Sequence, residues 1–219
     1  MKNIVPFPFG GLRVSLVVLL LGTVPALHAA KDAELAPVLA KPGKLLKEDS
    51  FADSALSREW GVAKGEWLVK DGILIAKEKT EDKHAGVCAL NLPNHNSIIR
   101  FSYRLIGAKA LTLSFNHAKG HLFRVSLGAE SITLSKDKDK ADTSAKPLQL
   151  AKVEAPKNGA EWTTIQVEML GQKVAVTTDS GLKLEGEDAA LDVDKTGYRF
   201  VISGESAELD GVKIWEHAP

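Results

Sequence analysis

Apolar and polar residues alternate along most of the chain beyond residue 45, and a two-residue period of this kind predicts β-strands. Within Ser97–Leu105, the odd-numbered positions from residue 99 onward are apolar, whereas the even-numbered positions from residue 100 onward are polar. Similar alternation recurs in four later segments, residues 111–116, 123–127, 164–169 and 198–203. No window keeps a helical period for long. We therefore predict an all-β fold in which about a dozen strands form two packed antiparallel sheets.

The strongest local signal is a β-hairpin predicted within Trp60–Ala76. Two apolar runs, Gly65–Val69 and Ile73–Ile75, flank a Lys-Asp-Gly turn. Asp71-Gly72 suits a tight turn because glycine takes the positive φ that such turns require. This segment indicates the architecture of the protein and says nothing about its chemistry.

The first thirty residues have the pattern of a secretory signal peptide. Lys2 and Arg13 precede the apolar run Val14–Gly22, and small residues follow up to Ala30. The run is shorter than the roughly 20 apolar residues of a membrane span, and no cysteine follows it as a lipidation site. We expect cleavage after Ala29 or Ala30 and export to the periplasm or the outside, without a membrane anchor. The predicted organisation is a signal peptide at 1–30, an exposed leader at 31–44 and one domain at 45–219.

The charge balance argues against a nucleic-acid partner. Cleavage removes two of the 28 basic residues and none of the 28 acidic ones, so the mature charge is near −2. A protein that binds nucleic acid would carry a basic surplus or a basic face.

Cys88 is the only cysteine, so no internal disulfide forms, and we expect a buried, inert thiol because no basic neighbour activates it.

Two polar segments are predicted to be surface loops, and neither suggests a metal. Lys and Asp nearly alternate in Ser135–Lys146, and Val153–Ala160 is rich in turn residues. The Asp-x-Asp pairs at 137–139 and 192–194 lack the glycine-containing register of a dedicated calcium loop. We predict no cofactor and no metal.

Several segments occur in an order typical of a known superfamily. They are Ser50–Asp53, Arg58–Trp60, Gly65–Leu74 and the closing Leu209–Trp215. Together they resemble the secreted concanavalin A-like, or laminin G-like, jelly-roll domains, in outline over residues 48–216. Within that superfamily the chain most resembles the 3-keto-disaccharide hydrolase domains, whose members carry a Trp-x-Val-x-Asp-Gly-x-Leu hairpin. The resemblance implies a two-sheet antiparallel jelly-roll sandwich and a carbohydrate-related role, with hydrolysis of oxidised sugars as a further implication. It transfers no catalytic residue.

Catalytic candidates are few. Laminarinase-type enzymes carry acids in a Glu-x-Asp-x-x-Glu order on one strand, which suits two-step glycoside hydrolysis, and this chain lacks that order. The acidic cluster Glu185–Asp188 falls in a predicted turn, and Glu168 stands alone on its strand. His117 and His121 lie in one short connection, where solvent-exposed or structural roles are the alternative to proton transfer. We take His121 and Glu168 as the candidates to test.

The polar sides of the central strands form the candidate binding surface. The residues expected to bind a sugar are Arg100, Arg104, Asn116, Arg124 and Gln166, with Glu168 as an acid near the arginines. If they lie on one concave sheet, they offer the planar donors and acceptors that sugar hydroxyls require. The alternative is a solvated outer face. The four tryptophans could stack on sugars, although packing is the expected role of each.

Three functions therefore remain open on the sequence. The first is glycan binding through the polar sheet. The second is a hydrolase of the 3-keto-disaccharide type. The third is a structural or protein-binding sandwich, for which the sequence names no partner.

Overall fold

A computed structural model describes Met1 and residues 34–140, 144–155 and 160–218, and this part of the chain folds into thirteen antiparallel strands. Short 3₁₀ turns lie at Thr80–Asp82 and Ala189–Leu191. The strands are β1 Pro42–Asp49, β2 Trp60–Lys64, β3 Glu66–Lys70, β4 Ile73–Lys77, β5 Gly86–Leu90, β6 Ser97–His117, β7 Gly120–Gly128, β8 Ser131–Lys136, β9 Leu148–Glu154, β10 Thr163–Leu170, β11 Lys173–Thr178, β12 Lys183–Glu187 and β13 Gly197–His217.

The strands form two layers, and the long strands β6 and β13 belong to both. In the first layer the order is β12-β11-β10-β6-β13, with β1 on the far side of β13. In the second layer the order is β9-β8-β7-β6-β13-β5-β2. The hairpin of β3 and β4 joins β13 near its middle. The first half of β6 thus lies in one layer and its second half in the other.

Ring contacts show that β6 folds back on itself. Phe101 and Leu113 lie twelve residues apart on β6, which in a straight strand would separate them by about 40 Å. Phe200 of β13 pairs with Leu113, yet its ring centroid lies only 5.4 Å from that of Phe101. The two halves of β6 therefore face each other across the core.

Two glycines stand where the long strands bend. Gly107 of β6 has a φ of 78° and Gly204 of β13 has a φ of 95°, in the left-handed region that side chains rarely adopt. The register between the strands shifts repeatedly from Ser203 to Ala207. A Cβ at position 204 would also lie 2.7 Å from the backbone nitrogen of Lys109. Only glycine fits this bend without strain.

The core lies between the layers and contains most of the large apolar side chains. Its aromatic centre joins Phe51, Trp60 and Phe200 to Phe101. Trp67 is also buried, so Trp60 and Trp67 have the packing role expected of them. Cys88 is fully buried, as predicted, and burial raises the pKa of its thiol to about 12, which disfavours the reactive thiolate.

The predicted hairpin is confirmed. Strands β3 and β4 pair from Glu66 opposite Lys77 to Lys70 opposite Ile73. Asp71 and Gly72 have φ values of 53° and 76°, and positive φ at both central residues is typical of the type I′ turn. Leu74 and Ala76 point into the core from this hairpin.

Several sequence expectations differ from the structure. Glu185–Glu187 of the acidic cluster, expected in a turn, lie on strand β12 and pair with β11. Segments 97–105 and 111–116 were expected as separate strands, but they form the single bent strand β6. The expected exposed leader at 31–44 is exposed at only some of its described positions. Leu35, Val38, Leu39 and Ala40 are partly buried, and Pro42–Lys44 begin β1. The predicted signal peptide at residues 2–30 lies outside the described residues. Within the described ranges, no helix is long and apolar enough to cross a membrane.

Replacing Gly204 with alanine tests the bend. We expect Gly204→Ala to lower the free energy of unfolding by about 1–3 kcal/mol, because the substituted residue would hold a strained φ and crowd the β6 backbone. Gly61→Ala is the matched control, since an added Cβ there meets only atoms about 4 Å away. Urea unfolding measures both. Equal stabilities of the two variants would contradict this account of the bend.

Candidate functional site

The outer surface of the first layer carries a band of polar side chains across β10, β6 and β13. Strand pairing sets Gln166 beside Arg100 and Arg100 beside Lys213. The next row joins Thr164, Ser102 and Asp210. Since side chains alternate across a strand, these residues point away from Phe101 and the core. We call this band the polar face; it comprises Arg100, Ser102, Arg104, Thr164, Gln166, Glu168, Glu208, Asp210 and Lys213.

Three side chains form a continuous hydrogen-bonded row at one end of the polar face. The Arg100 guanidinium donates to Gln166 Oε1 from Nε at 3.0 Å and from Nη2 at 2.8 Å. Gln166 Nε2 donates in turn to Glu168 Oε1 at 2.8 Å. Gln166 and Glu168 are fully buried, and Arg100 is 8% exposed. The amide thus links a buried cation to a buried anion, which satisfies polar groups that would be costly to bury alone.

Two arginine–tryptophan pairs mark the ends of the polar face. The Arg100 guanidinium lies 5.1 Å from the centroid of the Trp215 ring, and that of Arg104 lies 4.7 Å from the Trp162 ring. Arg104 Nε also donates to Glu208 Oε2 at 2.5 Å. Both tryptophans are only partly buried. Each pair therefore holds an aromatic ring and the planar donors of a guanidinium beside the hydrogen-bonding groups of the polar face.

A small cleft of about 170 Å³ opens on the polar face. Ser102 and Thr164, whose hydroxyl oxygens lie 2.9 Å apart, form part of its wall. Glu48, Asp210 and Lys213 contribute charged groups. The cleft is below the roughly 300–1,000 Å³ of sites that enclose drug-sized ligands, so it suits a single small group of a larger ligand.

The chain's own N-terminal segment covers the Glu168 end of the polar face. We use that name for residues 34–40. The backbone N–H of Val38 donates to both oxygens of Glu168, at 2.9 and 3.0 Å, and that of Leu39 donates to Oε2 at 2.7 Å. Arg100 Nη2 donates to the carbonyl oxygen of Leu35 at 3.2 Å. This cover explains why Arg100, Gln166 and Glu168 are buried although they lie on an outer sheet surface.

The structure does not bring all the predicted site residues together. Arg100, Arg104, Gln166 and Glu168 lie on the polar face. Asn116, His121 and Arg124 lie on the outer surface of the second layer, because β6 folds back between residues 104 and 116. The expectation of one shared concave surface is therefore wrong. Arg124 is paired with Asp137, and Asn116 Oδ1 lies 2.9 Å from His121 Nδ1.

His121 borders a separate cavity of about 340 Å³ on that second surface. Its lining includes His117 and four lysines, at positions 119, 136, 138 and 140. Burial, followed by the positive charge of Arg199, lowers the pKa of His121. The imidazole is therefore mainly neutral near pH 7. Its described hydrogen-bond partner is Asn116, which lies on the same second surface and not on the polar face.

Among the described residues, no group of three or more His, Cys, Asp and Glu side chains could hold a metal ion. His95 lies between two carboxylates, with Nδ1 2.8 Å from Asp194 and Nε2 2.8 Å from Asp192. The hydrogen bond to Asp194, and then that to Asp192, raise the pKa of His95. This is a surface ion-pair cluster, in which all three side chains are substantially exposed.

Two tryptophans at the site, Trp162 and Trp215, are predicted from the sequence to have a packing role. A signal for Trp215 was present. Val212 and Ile214 alternate as apolar positions, which places Lys213 and Trp215 on the opposite side of the strand. No comparable period marks Trp162, which lies just before β10.

Comparison with known proteins shows the fold. No family model matches the chain, and no curated protein matches it. Among solved structures, the carbohydrate-binding module CBM66 of Bacillus subtilis is 10% identical with a TM-score of 0.57, covering 72% of this chain and 96% of that one. The catalytic domain of an endo-1,3-β-glucanase, a laminarinase, from Thermotoga petrophila is 8% identical with a TM-score of 0.62, covering 83% and 100%. Porphyranase B of Zobellia galactanivorans is 9% identical with a TM-score of 0.61, covering 80% and 93%.

These similarities confirm the predicted fold class. The protein is an all-β, two-layer antiparallel jelly-roll sandwich. At such identities the likeness concerns the fold alone.

The two perturbed histidines should titrate on opposite sides of the ordinary value near 6.5. We expect His95 to titrate above it and His121 below it in an NMR titration of the imidazole resonances. Because the pKa of His95 is raised by folding, its ion pairs stabilise the protein fully below about pH 6.5 and progressively less as the pH rises through the folded value. Coincident titration of both rings at the ordinary value would contradict the assigned contacts.

Proposed function

We propose that this protein is an exported carbohydrate-binding domain that holds its ligand on the polar face. The observation that carries the proposal is the pair of Arg–Trp stacks on either side of a strip of hydroxyl, amide and charged groups. An aromatic ring offers an apolar surface to a sugar ring, and a guanidinium offers a planar set of donors to hydroxyl or carboxylate oxygens. Export rests on the predicted signal peptide at residues 1–30.

The contacts of Glu168 and Glu208, the two acids beside the polar-face arginines, favour binding over hydrolysis. A retaining or inverting glycosidase needs two carboxyl groups placed on either side of the scissile bond. Glu168 accepts hydrogen bonds from Val38, Leu39 and Gln166, and Glu208 accepts one from Arg104. Carboxylates held by such fixed donors are poorly placed to attack a substrate or to protonate one.

Structural neighbours support a carbohydrate ligand and suggest the probes. One neighbour is a carbohydrate-binding module, and others are a non-specific endo-β-1,3(4)-glucanase and a porphyranase. We therefore choose β-1,3-glucan, mixed-linkage β-1,3(4)-glucan and porphyran as ligands. A 3-keto-disaccharide is added because the sequence resembles the hydrolases of that substrate.

Calorimetry on the mature protein, combined with an assay for released sugar, tests the proposal. We expect at least one of these probes to bind without product release. Binding to none of them would contradict the proposal, and turnover that is abolished in Glu168→Gln would establish a hydrolase instead.

Arginine variants on the two surfaces provide a matched comparison. We expect Arg104→Ala to weaken binding of the responding probe by about 10- to 100-fold. This is the equivalent of losing one charge-assisted hydrogen bond to the ligand together with the stacking contact between Arg104 and Trp162. Arg124→Ala removes the same side chain from the second surface and should leave the affinity unchanged. Thermal unfolding of both variants controls for stability. An equal loss in both, or a loss in Arg124→Ala alone, would place the ligand elsewhere.

A further inference from the structure

The N-terminal segment is held on the polar face by its main chain. Three of its four described hydrogen bonds run from the backbone N–H groups of Val38 and Leu39 to the Glu168 carboxylate, and the fourth runs from Arg100 to the Leu35 carbonyl. An anion thus accepts from peptide N–H groups while a cation donates to a peptide C=O. Contacts of this kind recognise any peptide main chain whose donors and acceptor are spaced correctly.

The receptor side of this contact is already ordered within the sheet. Glu168 and Arg100 are joined through Gln166 on the neighbouring strands β6 and β10. Strand pairing therefore fixes the separation of the acceptor and the donor. The segment itself has no strand pairing over residues 34–40, and Ala36 and Pro37 are exposed. Its partly buried side chains are those of Leu35, Val38, Leu39 and Ala40.

We propose that Glu168 and Arg100 form a peptide-binding site that residues 35–39 fill in cis, so that the N-terminal segment is a built-in competitor for the polar face. The peptide site stands independently of the proposed function, whereas the competition rests on it. Trp215 stacks on Arg100, which binds the segment. A sugar that stacks on Trp215 and reaches Gln166 or Glu168 would therefore have to displace the segment.

Removing the N–H donors of the segment, while leaving the receptor intact, tests the peptide site. Proline has no backbone N–H, so Val38→Pro/Leu39→Pro removes all three hydrogen bonds to Glu168. Ala36→Pro is the control, because the amide of Ala36 takes part in no hydrogen bond among the described contacts. The probe is an end-blocked synthetic peptide of residues 34–41, Glu-Leu-Ala-Pro-Val-Leu-Ala-Lys. Binding to each full-length mature variant is followed by NMR through the side-chain amide resonances of Gln166.

We expect the peptide to shift the Gln166 resonances of the double variant and to bind the control at least tenfold more weakly, because the control keeps its own segment in place. Absence of a shift in the double variant, or equal binding to both variants, would overturn the peptide site.

A second measurement does not depend on the proline substitutions. In Glu168→Gln, amide exchange at Leu39 should accelerate about tenfold or more, with exchange at the buried Leu74 unchanged. Unchanged exchange at Leu39 would also overturn the peptide site.

A β-1,3-glucan hexasaccharide tests the competition on the same two proline variants. We expect it to bind the double variant at least fivefold more tightly than Ala36→Pro. Equal, measurable affinities would overturn the competition and leave the proposed function intact. A third outcome is that neither variant binds the glucan while the double variant still binds the peptide. That result would count against β-1,3-glucan as the ligand and against competition for it. It would still support the peptide site.

Discussion

Continuous pairing between β6 and β13 is the constraint on which the rest of the structure depends. The two strands pair from Gly197 opposite Asn116 to Trp215 opposite Ile98, so neither can bend unless the other bends with it. Gly107 and Gly204 stand together at that bend and carry positive φ values. Because β6 folds back there, side chains on the same side of its two halves point to opposite surfaces of the sandwich. The separation of Arg100 from Arg124 follows directly.

The same geometry explains the charges at the candidate site. A purely solvated outer face would leave Arg100 and Glu168 in water, but the N-terminal segment buries them, and burial requires partners. Gln166 supplies one partner to each charge, and the peptide groups of residues 35, 38 and 39 supply the others. At the opposite end of the face, Arg104 pairs with Glu208 and stacks on Trp162, and none of the hydrogen bonds described for the N-terminal segment reaches it. The polar face therefore has a fully buried acid at one end and a partly exposed arginine at the other.

Local patterns predicted the local elements well. The Asp71-Gly72 turn, the strand alternation around Phe101 and the burial of Cys88 depend on neighbours a few residues away, and the sequence carries those signals. The bend in β6 was missed because residues 106–110 interrupt the alternation in the way a loop would. The contacts between the N-terminal segment and the polar face were missed because they join residues 65 to 130 positions apart through the main chain, where side-chain identity leaves little trace. Periodicity correctly placed Gln166 and Glu168 on an outer face, but it could not show that another part of the chain covers them.

Indole N–H resonances offer the most direct test of the central claim, that the ligand surface is the polar face. The chain has four tryptophans: Trp60 and Trp67 lie in the core with bonded indoles, whereas Trp162 and Trp215 stack on arginines of the polar face. A ¹H–¹⁵N spectrum of the mature protein, recorded while the responding glycan is added, reports on all four at once. We expect shifts at Trp162, Trp215 or both, with the resonances of Trp60 and Trp67 unchanged. Saturable binding that leaves Trp162 and Trp215 unshifted would contradict that claim.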